Sequence, residues 1–128
     1  MADPDALAFV AKARHDLSAA GLLLVREELA DVVCFHAQQA AEKALKAALV
    51  AAGRQPLRTH DLPRLLDELV VVDERWEEIR VSCEALSDFA VSPRYPEWEV
   101  TAPGADPAEG VRNAAFVLEF VLTATGLA

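Results

Sequence analysis

Apolar side chains recur along this chain at alternating intervals of three and four residues, the spacing that stacks them on one face of an α-helix. Residues 3–28 open with Asp3-Pro4, a capping residue followed by the helical position where proline costs nothing, and place Ala6, Val10, Ala13, Leu17, Ala20 and Leu24 on one stripe. Asp31 is positioned to cap a second helix that ends at Gly53 and Pro56, with Ala37, Ala40, Ala41, Ala44, Ala47, Ala48 and Ala51 forming a broad face of small residues. Thr59 or His60 is expected to open a third helix carrying Leu62, Leu65, Leu66 and Leu69, with Pro63 in its first turn. Asp73 is expected to cap a fourth, with Trp76, Ile79, Cys83, Leu86 and Ala90 on one stripe. Between Val91 and Ala105 the prolines and Gly104 break the pattern, and Asp106-Pro107 then repeats the opening signal for a last helix bearing Ala108, Val111, Ala115, Leu118 and Leu122 and running to about Thr125. No useful alternation of period two is present. The expected architecture is all-α, a five-helix antiparallel up-and-down bundle, with residues 1–128 as one domain.

Composition narrows the class without changing this picture. A hydrophobic fraction of 53% is too high for a disordered chain, and no long uncharged stretch offers a membrane span. Asp3, Asp5, Lys12, Arg14 and Asp16 stand where a secretory leader would need an apolar run, so a cytoplasmic protein is expected. Cys34 and Cys83 fall inside periodic apolar segments and read as free buried thiols. Within 114–124 apolar residues point in nearly every direction, and a helix of that kind must be covered all round. A homodimer packed partly through this last helix is the expectation, unless the shorter helices wrap it.

Charge is distributed unevenly. The chain carries 12 basic and 21 acidic residues, a net charge of −9. Yet residues 43–64 hold Lys43, Lys46, Arg54, Arg58 and Arg64 against Asp61 alone. Such a block offers a phosphate-binding surface even on an acidic protein, because salt screens repulsion beyond about 8–10 Å; it is equally an ordinary solvated set near a helix C-terminus. His36, Gln39, Lys43 and Lys46 follow helical spacing and form one polar stripe, with Gln38 and Glu42 beside it. That stripe reads either as a contact surface for a nucleotide or partner helix, or as a solvated face with Glu42 and Lys46 paired at i,i+4.

Familiar catalytic signatures are missing. The sequence contains no HExxH, paired CxxC, phosphate loop, GxSxG or GxGxxG, and Cys34 and His36 point to different helix faces, so no metal site or cofactor is expected. His15, between Arg14 and Asp16, reads as a surface residue. Neighbouring carboxylates such as Glu27-Glu28 diverge on a helix and define no acid/base pair.

One combination of segments is distinctive: Asp16-Leu17, then Cys34-Phe35-His36-Ala37-Gln38-Gln39-Ala40-Ala41-Glu42-Lys43-Ala44-Leu45-Lys46-Ala47, then Thr59-His60-Asp61-Leu62, then Leu86-Ser87-Asp88-Phe89 leading into Arg94-Tyr95-Pro96. It resembles the HEPN family, the higher eukaryotes and prokaryotes nucleotide-binding domain, over essentially the whole chain and in its small prokaryotic single-domain form. The resemblance implies a helical bundle that dimerises and either binds nucleotide or cleaves RNA without metal, often beside a minimal nucleotidyltransferase (MNT) in a toxin–antitoxin-like pair. Ribonucleases of the family use an Arg followed after four to six residues by a His. Here no histidine follows Arg94, so a ligand-binding protein, contacting nucleotide or RNA through Arg94 and Tyr95, is expected ahead of an enzyme. His36, Gln39, Lys43, Lys46, Arg58 and His60 form a second candidate surface. Arg94 and Tyr95 read equally as a pinned turn. Arg54 and His60 satisfy the family spacing but lie between the second and third helices. The rival readings are a ribonuclease toxin using Arg94 with another base, or Arg54 with His60, and an assembly module without ligand.

Overall fold

The computed structural model describes residues 2–87 and 106–127. They form an all-α bundle of five α-helices: α1 (Pro4–Leu23), α2 (Ala30–Ala51), α3 (Leu62–Val72), α4 (Arg80–Ser87) and α5 (Pro107–Thr125). Two stretches of 3-10 helix, Glu27–Leu29 and Glu74–Ile79, lead into α2 and α4. No strand occurs among the described residues. The irregular segment expected at 91–105, with Ala90 before it, lies outside them.

Local chemistry explains most boundaries. Asp3 and Asp106 each accept the backbone N–H two residues on, at 2.7 and 3.0 Å, and each is followed by a proline in the first turn. α2 closes with Gly53 at φ +78°, where the Gly53 N–H reaches the Val50 carbonyl and the Arg54 N–H the Leu49 carbonyl, both at 2.9 Å. This paired closure needs a left-handed residue, which glycine adopts without a Cβ clash. Gly126 at φ +73° ends α5 in the same region and turns Leu127 back into a small core with Ala6, Val10 and Ala47.

Four expectations are corrected. α1 stops at Leu23, short of residue 28, and Leu22 and Val25 stand 78% and 82% exposed. An apolar repeat records no sign of where the neighbouring helix ceases to cover it. α2 starts at Ala30 with no side-chain cap, and Asp31 instead sits in its first turn, where the amide dipoles favour a negative charge. Asp61, rather than Thr59 or His60, caps α3 by accepting the Arg64 N–H, while Thr59 accepts the Asp61 N–H at 3.1 Å. On α5 the buried stripe is Gly110, Ala114, Val117, Leu118 and Val121, so Ala115 faces outward.

α2 is the central element. Twelve of its 22 residues are buried, and all the alanines named above except Ala51 lie in the core. Small residues let flanking helices come close on several sides. Around it, Leu62, Leu65, Leu66 and Leu69 of α3 pack with Trp76, Ile79, Cys83 and Leu86. The indole of Trp76 meets Phe120 edge-on at 5.3 Å, and the Ser82 hydroxyl donates to the Asn113 side chain at 3.1 Å, joining α4 to α5. The outer side of α5 stays open within one chain, where Phe116 is 48% exposed. Cys34 and Cys83 are free and buried, and burial pushes their thiols up to about 11 and about 12. No helix among the described residues is long and apolar enough to cross a membrane.

Two outcomes are expected. Leu66→Ala, at a fully buried position, lowers unfolding free energy by about 2–5 kcal/mol in a urea titration, whereas Val81→Ala at an exposed one changes it by less than about 0.5 kcal/mol. Both thiols resist an aromatic disulfide reagent at pH 8 in the native protein and react once urea unfolds it. Because burial raises the folded-state pKa, this contribution to stability is complete below the ordinary thiol value near 8.5 and is lost as pH rises toward about 11.

Candidate functional site

The residues singled out on α2 do not form a solvated face. Among α2 side chains His36, Gln39, Lys43 and Lys46 are half-buried, and Gln38 and Glu42 beside them are buried. Two neighbouring segments produce this. Asp16 of α1 lies against the first half of the stripe, and the connection of residues 52–61 doubles back along α2 to lay His60 against its middle.

Each segment brings one carboxylate and one imidazole together. Asp16 accepts from His36 Nδ1 at 2.8 Å through one oxygen and from Lys43 Nζ through the other. Glu42, whose side chain is only 6% exposed, accepts from His60 Nδ1 at 2.7 Å through Oε1 and from Lys46 Nζ at 3.1 Å through Oε2. Gln38 Nε2 donates to the His60 carbonyl at 3.0 Å and reaches Glu42 Oε1 at 3.4 Å, and Gln39 donates to Gln38 at 2.8 Å. A buried carboxylate is tolerated only when its lone pairs meet donors, and Glu42 meets donors on both oxygens. Since an ionised carboxylate only accepts, both histidines present Nδ1–H to it, which fixes each ring's orientation.

A second feature adjoins this cluster. An open groove of about 840 Å³ runs between the start of α1, the end of α2 and residues 53–58. Lys12, Lys46, Arg54 and Arg58 line it, together with Asp3 and Asp5 and an apolar floor of Phe9, Val50 and Leu57. Among the described residues Lys12, Arg54 and Arg58 enter no ion pair. Lys46 belongs to both features: its ammonium group holds Glu42, and its side chain lines the groove.

The structure therefore gathers Lys46 and Arg58 at the groove, with His60 joined to Lys46 through Glu42, and holds His36 and Lys43 against α1. Gln39 buttresses Gln38. Arg94 and Tyr95 lie outside the described residues. His15 is exposed, as expected. Among the described residues no group of three or more His, Cys, Asp or Glu side chains could hold a metal ion. Sequence reasoning gave Asp16 no part in the site and left Glu42 beside the stripe. The one available signal was a carboxylate on a helix otherwise lined with alanine, at i,i+4 from a lysine.

The sequence model of the HEPN domain matches residues 6–123. The chain belongs to the HEPN family. A Methanocaldococcus jannaschii protein named "Putative toxin MJ1304" is 32% identical over an alignment of 96 residues that covers 70% of this chain. The match spans 62% of that relative's length. TT1696 from Thermus thermophilus, known from a crystal structure, superposes with a TM-score of 0.75 at 29% identity, covering 94% of this HEPN chain and 98% of that one.

Glu42→Gln is expected to lower unfolding free energy by about 1–3 kcal/mol, because an amide accepts poorly from two donors and turns its own N–H₂ toward one of them. Glu77→Gln, at a surface pair with Arg80, leaves the urea midpoint essentially unchanged, because solvent screens an exposed pair. Urea midpoints of the two variants check this.

Proposed function

We propose that this HEPN protein is the toxin-type member of a partner-dependent system, binding a nucleotide or RNA as a homodimer beside an MNT-type nucleotidyltransferase. Family membership and the likeness to a protein named as a toxin support the toxin-type reading. The observation that carries ligand binding is that Lys12, Arg54 and Arg58 line one groove of a chain whose net charge is −9, with the Glu42-bound Lys46 beside them and Asp3 and Asp5 on the α1 side. Lys12, Arg54 and Arg58, which have no carboxylate partner among the described residues, sit where solvent and a phosphate reach them, and the apolar lining accepts a ribose or base. Arg94 and Tyr95 belong to this reading on the strength of the sequence alone. The outward Phe116, with Phe120 at 6.4 Å behind it, supports dimerisation through α5.

A second reading draws on one particular arrangement. Glu42 orients His60, Lys46 connects Glu42 to the groove, and Arg54 lines that groove. A guanidinium that stabilises a phosphorane and an imidazole that moves the 2′-hydroxyl proton constitute a metal-independent ribonuclease.

Titrating a labelled single-stranded RNA at several salt concentrations tests the first reading. With three phosphate contacts the plot of log affinity against log salt has a slope of about −2.1. A saturating nucleotide at a hundredfold its Kd raises stability by about 2.7 kcal/mol. Absence of binding by RNA, ATP and GTP at millimolar concentration sinks it. Cleavage of total RNA in EDTA, abolished by His60→Ala, replaces it with the ribonuclease.

A further inference from the structure

We propose that the groove is a subsite for a single nucleotide unit, taking its 5′-phosphate on the Arg54 and Arg58 side and preferring a base that carries an exocyclic amine on the Asp5 side. This rests on the reading that the protein binds nucleotide or RNA, and it adds where one unit sits and which bases it admits.

The two walls differ in charge. One is the 53–58 segment, where the glycine-closed end of α2 fixes the point from which Arg54 leaves the helix and where Arg58 follows. The other is α1, which carries Asp3 and Asp5 at its start and Lys12 two turns further on. Between them lies the floor of Phe9, Val50 and Leu57. Phe9 also packs on the small core of Ala6, Val10, Ala47 and Leu127, so its ring is held in place rather than collapsing into the groove. A flat base gains stacking from such a ring regardless of identity. A volume of about 840 Å³ falls within the range of small-molecule sites.

Polarity then orients the ligand. Carboxylates repel a phosphate, so the anion is driven away from Asp3 and Asp5 toward Lys12, Arg54 and Arg58, and of these the guanidinium forks match its oxygens best. The base is left beside the aspartates, whose oxygens accept only. Adenine, cytosine and guanine present an exocyclic amine to an acceptor, whereas uracil has none, and its single N3–H donor is flanked by the O2 and O4 carbonyls, whose lone pairs oppose those of the carboxylate. Asp3 is already committed as the α1 cap, accepting the Asp5 N–H at 2.7 Å, which leaves Asp5 as the discriminating side chain.

Calorimetric titration of the full chain with AMP, CMP, UMP, adenosine and inorganic phosphate tests this, alongside a short RNA with and without a 5′-phosphate. AMP and CMP are expected to bind at least fivefold more tightly than UMP, and AMP at least tenfold more tightly than adenosine or phosphate alone. Arg54→Ala combined with Arg58→Ala weakens AMP at least tenfold at unchanged melting temperature, and Asp5→Asn brings AMP and UMP within twofold. Preference for the 5′-phosphorylated RNA assigns the unit to an RNA end; binding confined to mononucleotides assigns it to a free nucleotide. Equal affinity for AMP and UMP, or an arginine double variant that binds AMP like the parent, overturns the subsite while leaving nucleotide binding standing. A parent protein that binds no nucleotide and no RNA overturns both.

Discussion

A buried carboxylate on the central helix is the constraint around which the rest is arranged. Glu42 stands on α2 among alanines and leucines, and an ionised group there is stable only with donors on each oxygen. Lys46, one turn on, satisfies one oxygen; the other is satisfied by His60, from beyond the end of the helix. The connection after α2 must therefore return along the helix instead of leaving it, which sets where α3 starts. The same return leaves residues 53–58 as one wall of the groove. Core stability and the shape of the candidate site thus share one electrostatic requirement.

The Asp16 cluster repeats the logic at the α1 interface. A carboxylate on one helix meets a histidine and a lysine of the other, two turns apart on α2, and so pins the hairpin at a defined register. Apolar packing alone tolerates sliding between alanine-rich helices, because one small side chain resembles the next; a half-buried charge with two fixed partners does not.

These pairings also redistribute the positive charge. Of the five cations between residues 43 and 64, Lys43 and Lys46 are neutralised by Asp16 and Glu42. The cations in that block without an ion pair among the described residues are Arg54, Arg58 and Arg64. The stripe on α2 is thereby structural for most of its length. The ligand-facing role passes to the turn that follows, where Lys46 alone belongs to both.

Helix identity was legible because it rests on local physics: Asp3-Pro4 and Asp106-Pro107 cap their own helices, Gly53 and the prolines stop them, and the three-and-four spacing selects inner faces for α1, α3 and α4. The stripe of α5 slipped by one position except at Leu118, since Ala114 and Ala115, or Val121 and Leu122, are alike in apolarity and only the neighbours choose between them. The site lay beyond such reasoning. Asp16 and Lys43 are 27 residues apart, and Glu42 and His60 are 18 apart. A periodicity argument sends every charged residue to the surface. Only the docking of α1 and the returning connection onto α2 made a buried place for Glu42 and a half-buried one for Asp16 the lower-energy choice, because there each found partners that no stretch of sequence displays side by side.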